Sequence, residues 1–154
     1  ARVLSDERVA ITVLDRNNYH LFQPLLYQVA TAALSPADIA EPIRKMLRRQ
    51  GNAEVLMAEV TGIDTAARAV LTGDGARIGY DMLVIATGSV YNYFGHESWA
   101  DHAPGLKTID NARAIRTRVL TGFECAERET DPARRQALMT SVIIGGGPTG
   151  VEMA

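Results

Sequence analysis

The most constraining feature of the sequence is a glycine cluster close to its carboxyl end. Gly145, Gly147 and Gly150 satisfy the pattern G-x-G-x-x-G, and they follow the apolar, β-branched run at residues 141–144. A strand, this turn and a helix that we expect to begin near Val151 form the context in which the pattern binds a dinucleotide. The first glycine permits a tight turn, the second lets the backbone approach a pyrophosphate, and the third lets helix and strand pack closely. The cluster therefore predicts a dinucleotide site at a helix N-terminus.

A second apolar run ends in an acidic residue. Residues 9–14 are apolar or β-branched and are followed by Asp15. Such a run predicts a buried strand, which we expect to be parallel. An acidic residue at this position of a dinucleotide fold accepts a hydrogen bond from a ribose hydroxyl, but the glycine loop that should lie about 20 residues upstream would fall before Ala1. We therefore expect the chain to be a piece of a longer one. Without such a loop, an acidic residue at a strand end is more often a turn residue than a ligand-binding residue.

A third apolar run ends in a small-Thr-Gly turn. Residues 82–86 predict another buried strand, which continues into Thr87 and Gly88. Open α/β sheets bind ligands at the carboxyl edge of their strands, so Ala86, Thr87 and Gly88 are candidate neighbours of a ligand. Taken alone, the same tripeptide is an ordinary strand exit.

The remaining patterns complete an α/β prediction with a parallel sheet. Short strands at residues 55–63, 68–71 and 77–80 predict a small antiparallel meander. Residues 16–20 predict a loop, and residues 21–34 predict a packed loop or short helix because they contain Pro24.

Three helices are predicted from their caps and spacing. Asp38 and Glu41 have the form of a capping box, and Gly51 would end that helix. A long amphipathic helix is expected to begin near Asp110, and a shorter one at Asp131. An aromatic loop at residues 91–104 precedes the long helix.

Composition excludes several classes of function. The 154 residues are 47% apolar and 22% charged with a formal net charge of −2, so no electrostatic footprint for nucleic acid is present. The single cysteine, Cys125, excludes an internal disulfide framework and a cysteine-based zinc site. His20, His96 and His102 fall on separate predicted loops without metal-ligand spacing. No apolar run approaches the roughly 20 residues of a membrane span.

An acid-terminated strand, an Ala-Thr-Gly strand exit and a later glycine fingerprint, in this order, resemble the two-dinucleotide flavoprotein reductases. Within that superfamily, residues 15–30 (DRNNYHLFQPLLYQVA) look very like the corresponding segment of type II NADH dehydrogenases, the single-subunit, non-pumping NADH:quinone oxidoreductases. The resemblance continues in the same order through DIAEPIR at residues 38–44, LVIATG at 83–88, LKTID at 106–110 and GGGPTGVE at 145–152. It spans essentially the whole chain.

The resemblance implies a Rossmann-like FAD/NAD(P)-binding fold with a parallel sheet and a small meander, truncated at both ends. Residues 1–139 would be a partial FAD-binding domain that lacks its first strand and glycine loop, and residues 140–154 would be the first strand and glycine turn of an NAD-binding domain. The implied chemistry is hydride transfer from NADH to FAD, followed by reduction of a membrane quinone; the isolated piece is expected to be inactive. The resemblance further implies peripheral attachment to the cytoplasmic face of a membrane, through regions outside this chain, and allows a homodimer.

The resemblance also implies a set of FAD contacts. Asp15 would hold the adenosine ribose, Arg16 and the loop through Pro24 would lie along the flavin, and Val60 would meet the adenine through its backbone. The residues expected to pass close to the flavin nucleotide are Ala86, Thr87 and Gly88.

For NADH, the resemblance implies that the glycine turn binds the pyrophosphate. That turn comprises Gly145, Gly146, Gly147, Pro148, Thr149 and Gly150. Glu152, expected in the first turn of the last helix, would lie near the nicotinamide and flavin rings as the catalytic candidate. A carboxylate in a first helical turn is also favoured by the helix dipole without any function.

Three rivals differ in strength. Disulfide reductases of the same superfamily carry a redox cysteine pair soon after the acidic strand end, and residues 19–34 contain no cysteine. A sulfide:quinone oxidoreductase stays open because its cysteines could lie outside this chain, although Cys125 within a helix is an unpromising member of such a pair. A module that binds FAD or NAD without turnover also stays open, since binding motifs do not prove catalysis.

Overall fold

The computed structural model describes residues 2–5 and 8–154, and the contacts within it separate the chain into two units. The sheet unit comprises Ala1–Leu21 and Ala40–Gly88, and the helical unit comprises Phe22–Ile39 and Ser89–Ala154. A short 3₁₀ turn, Arg2–Leu4, lies at the start of the sheet unit.

A parallel strand pair forms the base of the sheet unit. Strand β1 (Ile11–Asp15) pairs in parallel with β4 (Ala53–Met57), which confirms the predicted direction of β1. The strand is half-buried rather than buried. A parallel strand becomes fully buried only when both of its faces are covered. Here one side of Thr12 faces solvent, where its hydroxyl donates to Glu54 at 2.8 Å.

Between β1 and β4 the structure differs from the predicted loop and helix. Strand β2 (Tyr19–Leu21) pairs antiparallel with β3 (Ala40–Pro42), so the predicted loop at residues 16–20 is wrong in its second half. The helix expected from Asp38 onward is interrupted by β3 and resumes as α3 (Ile43–Leu47). Pro42 explains the interruption, because a proline restricts the preceding residue to extended conformations and donates no backbone hydrogen bond.

The helix start lies upstream of its predicted position. Helix α2 spans Pro36–Ile39, and the amide of Ser35 donates to Oδ2 of Asp38 at 2.8 Å while Oγ of Ser35 accepts from the amide of Ala37 at 3.4 Å. Ser35 therefore takes the capping role that the sequence pattern assigned to Asp38.

The predicted antiparallel meander is confirmed. Strands β5 (Val60–Asp64), β6 (Ala69–Thr72) and β7 (Arg77–Gly79) form a sheet in the order β5-β6-β7. The run at residues 55–63, predicted as one strand, is divided between β4 and β5. The central strand β6 carries the buried side chains, and Arg77 of β7 reaches across to Asp64 of β5 at 2.9 Å.

Two predicted buried strands are not strands in this structure. Residues 82–86 and 141–144 pair with no strand of the described chain, and Val84 and Val142 are 86% and 83% exposed. An apolar run becomes a strand only when its N–H and C=O groups find ladder partners, because these groups are otherwise satisfied by water. Both runs are apolar, as a buried strand requires, but neither pairs with a neighbouring strand among the described residues.

The N-cap of the long helix in the helical unit lies two residues before the expected cap, Asp110. Helix α4 spans Ile109–Arg128 with Thr108 as its N-cap: Oγ1 of Thr108 accepts from the amide of Asn111 at 3.1 Å, and Oδ1 of Asn111 accepts from the amide of Thr108 at 3.2 Å. Asp110 lies inside the first turn instead, where its charge suits the helix dipole.

Shorter helices pack around α4. Helix α1 (Leu26–Ala30), which follows a 3₁₀ turn at Gln23–Leu25, confirms the short helix predicted within residues 21–34. Helix α5 (Pro132–Met139) has Asp131 as its N-cap, as predicted, and both α1 and α5 pack against α4. The side chains buried in this unit are Leu26, Val29, Ala30, Ile39, Ala112 and Ala126. The last helix, α6, spans Pro148–Met153.

Candidate dinucleotide-binding site

Asp15 lies at the carboxyl end of β1, beside Met57 at the end of β4. Its carbonyl oxygen accepts from the amide of Ala58 at 2.9 Å, and its Oδ1 accepts from the amide of Asn17 at 2.7 Å. The side chain is half-buried. A carboxylate offers about four lone-pair sites, so one bond to a turn amide leaves acceptor capacity for a ligand hydroxyl. The turn role and the ligand role of Asp15 are thus compatible.

The same edge of the sheet unit carries two further candidates. Arg16 follows Asp15 with an exposed side chain. Val60 comes three residues after Met57 and begins β5, where the pairing with β6 shifts at an irregularity between Val60 and Gly62. Because parallel strands end at a common edge, Asp15, Arg16 and the approach to Val60 belong to the carboxyl edge of the β1–β4 pair. That edge is where α/β sheets bind ligands.

The Ala-Thr-Gly turn is present as an irregular, exposed segment. Ala86, Thr87 and Gly88 belong to no strand in this structure. Gly88 has φ +72°, a left-handed conformation that glycine adopts without steric cost. Pro24 lies in the helical unit, exposed, within the 3₁₀ turn that leads into α1.

The glycine turn has the local geometry that its pattern predicts. Gly145 has φ +116°, and a Cβ on Gly150 would collide with the carbonyl oxygen of Gly145 and lie 3.7 Å from Cγ2 of Ile143. A Cβ on Gly146 or Gly147 would meet no atom within 4 Å. The first and third glycines of the fingerprint are therefore required by the turn itself, whereas the second borders open space.

Glu152 does not lie where the sequence pattern put it. Helix α6 begins at Pro148, with Gly147 as N-cap, so Glu152 is its fifth residue and lies beyond the first turn. Thr149 and Pro148 occupy that turn, and proline is well suited to the first helical position because it has no N–H to satisfy. The side chain of Glu152 is exposed. The helix-dipole account of this carboxylate is consequently wrong.

Other chemistry is sparse in the described part of the chain. No group of His, Cys, Asp and Glu side chains there is arranged to hold a metal ion, and no helix there has the length and apolar character needed to cross a bilayer. Cys125 is an exposed free thiol on α4.

A cluster that the sequence patterns did not single out lies in the helical unit. The Lys107 cluster consists of Ser89, Tyr91, Lys107 and Asn111. Nζ of Lys107 lies 2.6 Å from Oγ of Ser89, and the hydroxyl of Tyr91 donates to Oδ1 of Asn111 at 2.8 Å. Desolvation, with a smaller contribution from Tyr93, raises the pKa of Tyr91 to about 12. The one sequence signal for the cluster is the LKTID segment that carried part of the resemblance.

The comparisons with known proteins define the class. The chain belongs to the pyridine nucleotide-disulphide oxidoreductase family, whose model matches residues 1–154. It is 48% identical to the type II NADH:quinone oxidoreductase Ndh of Mycobacterium tuberculosis, a match that covers 100% of this chain and 34% of that protein. The resemblance to type II NADH dehydrogenases is thereby confirmed. The chain spans about a third of the length of this relative and of a second M. tuberculosis relative, NdhA.

Solved structures agree with the fold class. The structure of NDH2 from Plasmodium falciparum in complex with NADH matches with a TM-score of 0.80 and 29% identity, over 94% of this chain and 31% of that one. The sulfide:quinone oxidoreductase of Aquifex aeolicus matches with a TM-score of 0.68 and 28% identity, over 75% of this chain and 26% of that one. The predicted Rossmann-like FAD/NAD(P)-binding class is therefore confirmed.

Proposed function

We propose that the chain is part of a flavoprotein that transfers a hydride from NADH to FAD and then passes electrons to a quinone. One observation carries this proposal: the 48% identity to a type II NADH:quinone oxidoreductase extends over the whole chain. All the segments that carry the sequence resemblance lie inside that match. The similarity to an NDH2 structure that contains NADH supports the same nucleotide here.

The FAD half of the site is assigned to the carboxyl edge of the sheet unit and to the chain that follows it. Asp15 accepts from the adenosine ribose, Arg16 and the segment through Pro24 lie along the flavin, and the backbone of Val60 meets the adenine. The half-buried carboxylate at a strand end, held in orientation by the amide of Asn17 at 2.7 Å, supports the role of Asp15. Bound FAD would accept the hydride from NADH and pass the electrons on, while these residues would bind and orient it.

The turn at Ala86, Thr87 and Gly88 is assigned to the flavin nucleotide. Ala86 has only a methyl side chain and Gly88 has none, so the backbone of the turn is accessible. The left-handed φ of Gly88 supports a turn whose course a larger residue would strain.

The NADH half is assigned to the glycine turn, Gly145 to Gly150. Open space beside Gly146 and Gly147 lets a pyrophosphate approach the backbone, and the absence of a side chain at Gly150 lets the start of α6 lie close to the carbonyl of Gly145. Pro148 and Thr149 form the first turn of α6. Glu152, exposed on the same helix, is assigned to the neighbourhood of the nicotinamide and flavin rings as the catalytic candidate.

The domain division belongs to the same proposal. Residues 1–139 are assigned to the FAD-binding domain with its crossover helices, and residues 140–154 to the first strand and glycine turn of the NAD-binding domain. The protein would attach peripherally at the cytoplasmic face of a membrane.

A sulfide:quinone oxidoreductase is the rival with a specific observation behind it, a TM-score of 0.68 to one such enzyme. That match covers 75% of the chain, against 94% for the NDH2 structure at a TM-score of 0.80. The single cysteine of the sequence, Cys125, is exposed on a helix and has no second cysteine beside it in the chain. These observations favour NADH as the electron donor.

The test uses the purified full-length protein under anaerobic conditions. We expect bound FAD, loss of its visible absorbance on addition of NADH, and return of that absorbance when a soluble quinone analogue is added. Sulfide in place of NADH should leave the flavin oxidised. A bound flavin that NADH fails to bleach would overturn the proposal in favour of a non-catalytic binding module, and bleaching by sulfide alone would favour the rival enzyme.

A further inference from the structure

The Lys107 cluster contacts the chain at the residue that follows the Ala-Thr-Gly turn. Ser89 comes directly after Gly88 in the sequence. Oγ of Ser89 accepts a hydrogen bond from Nζ of Lys107 at 2.6 Å, a charge-assisted bond. The same ammonium group lies 6.0 Å from the centroid of the Tyr91 ring, at the outer limit of a cation–π contact.

Two residues after Ser89, Tyr91 forms a second hydrogen bond to the chain around the start of α4. The hydroxyl of Tyr91 donates to Oδ1 of Asn111 at 2.8 Å, and the same oxygen accepts from the amides of Thr108 and Lys107 at 3.2 and 3.3 Å. Oδ1 of Asn111 thus joins the N-terminus of α4 to the segment that leaves the turn.

The ring of Tyr91 packs directly against the backbone of Gly105. A Cβ at this position would collide with the ring, so the close approach of Tyr91 to the chain before α4 depends on glycine. The hydroxyl of Tyr91 is protonated at neutral pH, as any phenol with a pKa of 10 or more is, and it therefore acts as a hydrogen-bond donor. Tyr91 is therefore hydrogen-bonded to the first turn of α4, and Ser89 to Lys107, which directly precedes the N-cap of that helix.

We propose that Lys107 is a positioning residue that holds the exit of the Ala86–Thr87–Gly88 turn, by its bond to Ser89, in the course that presents the turn to a flavin nucleotide. This inference rests on the proposed function, since it assumes that the turn adjoins FAD. It goes beyond that function by adding a residue, remote in sequence from the turn, on which cofactor binding depends.

The expected effect follows from the exposure of the bond. A hydrogen bond to a charged group is stronger than one between neutral groups, but exposure of the Lys107–Ser89 bond to solvent reduces its contribution. We therefore expect Lys107→Met to raise the dissociation constant for FAD by about 3- to 10-fold.

The experiment compares lysine variants of the full-length protein after removal of its flavin. FAD is titrated into each apoprotein, and the visible spectrum of the bound flavin and the thermal midpoint of the apoprotein are recorded. The matched control is Lys45→Met, which removes the other lysine of the sequence together with its 2.8 Å ion pair to Glu41. Lys107→Arg is the conservative variant that keeps the charge and the donor.

Under the proposal, Lys107→Met weakens FAD binding and perturbs the flavin spectrum without lowering the apoprotein midpoint, Lys107→Arg restores both flavin readouts, and Lys45→Met changes neither. Ser89→Ala should reproduce the effect, and the double variant should be no weaker than either single variant, because both remove the same bond. If Lys107→Met does not fold, Ser89→Ala carries the test.

Unchanged FAD affinity and spectrum in Lys107→Met, or in Ser89→Ala, would overturn the proposal, as would additive losses in the double variant. These outcomes are separate from failure of the proposed function. A wild-type flavin that NADH does not bleach refutes the electron-transfer proposal, whatever the FAD affinities of the variants are.

Discussion

At the scale of single residues, Asp15 combines a structural and a ligand role that one substitution can separate. Asn in its place keeps an oxygen that accepts from the amide of Asn17, whereas Ala removes that bond. We expect Asp15→Asn to leave the thermal midpoint of the apoprotein almost unchanged and to weaken FAD binding by about 10-fold, through loss of a charged acceptor. Asp15→Ala should weaken binding similarly and lower the midpoint as well.

Titration of FAD into both apoproteins, with thermal unfolding alongside, measures the two effects. Equal FAD affinity in wild type and Asp15→Asn would show that the carboxylate serves only the turn.

The third fingerprint glycine gives a prediction of steric origin. Gly150→Ala places a Cβ against the carbonyl oxygen of Gly145, so the glycine turn must shift. Because such local strain costs on the order of 1–3 kcal/mol, we expect the KM for NADH to rise by about 10-fold or more in the full-length enzyme. Gly51→Ala is the control, since a Cβ there meets no atom within 4 Å. Steady-state NADH titrations decide the matter, and an unaltered KM in Gly150→Ala would contradict the assignment of this turn to NADH.

At the residue scale, glycine conformations could be predicted from the sequence and side-chain clusters could not. The positive φ of Gly145 and the lack of room for a side chain at Gly150 agree with what the glycine pattern predicted, because φ preference and absence of a side chain are properties of the residue itself. The Lys107 cluster could not be predicted in this way. Its bonds join residues 18 and 20 positions apart, and no local pattern encodes that separation.

At the scale of secondary-structure elements, the start of α4 separates two candidate caps. The sequence offered Asp110, and the structure shows Thr108 in reciprocal hydrogen bonds with Asn111. Loss of an N-cap side chain costs about 1 kcal/mol, so we expect Thr108→Ala to lower the urea midpoint of unfolding. Asp110→Asn should have a much smaller effect, because it removes only a favourable charge near the helix dipole.

Equilibrium unfolding of the 154-residue chain in urea, followed by circular dichroism, compares the two variants. If Asp110→Asn proved the more destabilising, Thr108 would not be the residue that caps α4.

Elements that depend on short-range chemistry were the predictable ones. The start of α5 at Asp131, the short helix after Pro24 and the antiparallel meander all follow from caps, proline and turn residues within a few positions of one another. The helix expected after Asp38 failed because Pro42 favours an extended residue before it, and that extended stretch found a partner in β2. The partner lies about twenty residues upstream, outside the range of any capping pattern.

At the scale of the whole molecule, the apolar segments at residues 82–86 and 141–144 distinguish the isolated chain from the longer protein in which we propose it acts. In the 154-residue chain Val84 and Val142 are exposed, so Val84→Lys and Val142→Lys should leave its stability within about 0.5 kcal/mol. In the full-length protein we expect the same segments to be buried strands, where an unpaired lysine is strongly destabilising.

Thermal unfolding of each variant in both contexts tests this prediction. The 154-residue chain that carries both Val84→Lys and Val142→Lys should also self-associate less than the wild-type chain, because large exposed apolar patches promote association. Equal tolerance of the lysines in both contexts would contradict the assignment of these segments to buried strands.

By itself the sequence determined the family, the strand that ends in Asp15, the glycine turn with its conformational demands, and the long amphipathic helix. Each of these rests on side-chain chemistry or backbone preference within a short stretch of chain. The tertiary structure decided which apolar runs become strands, that the stretch before Pro42 pairs with β2, and which side chains bond to Ser89 and Tyr91. The physical reason is that a strand or a side-chain cluster exists only when groups distant in sequence meet, and the free energy of that meeting depends on the partners that are present.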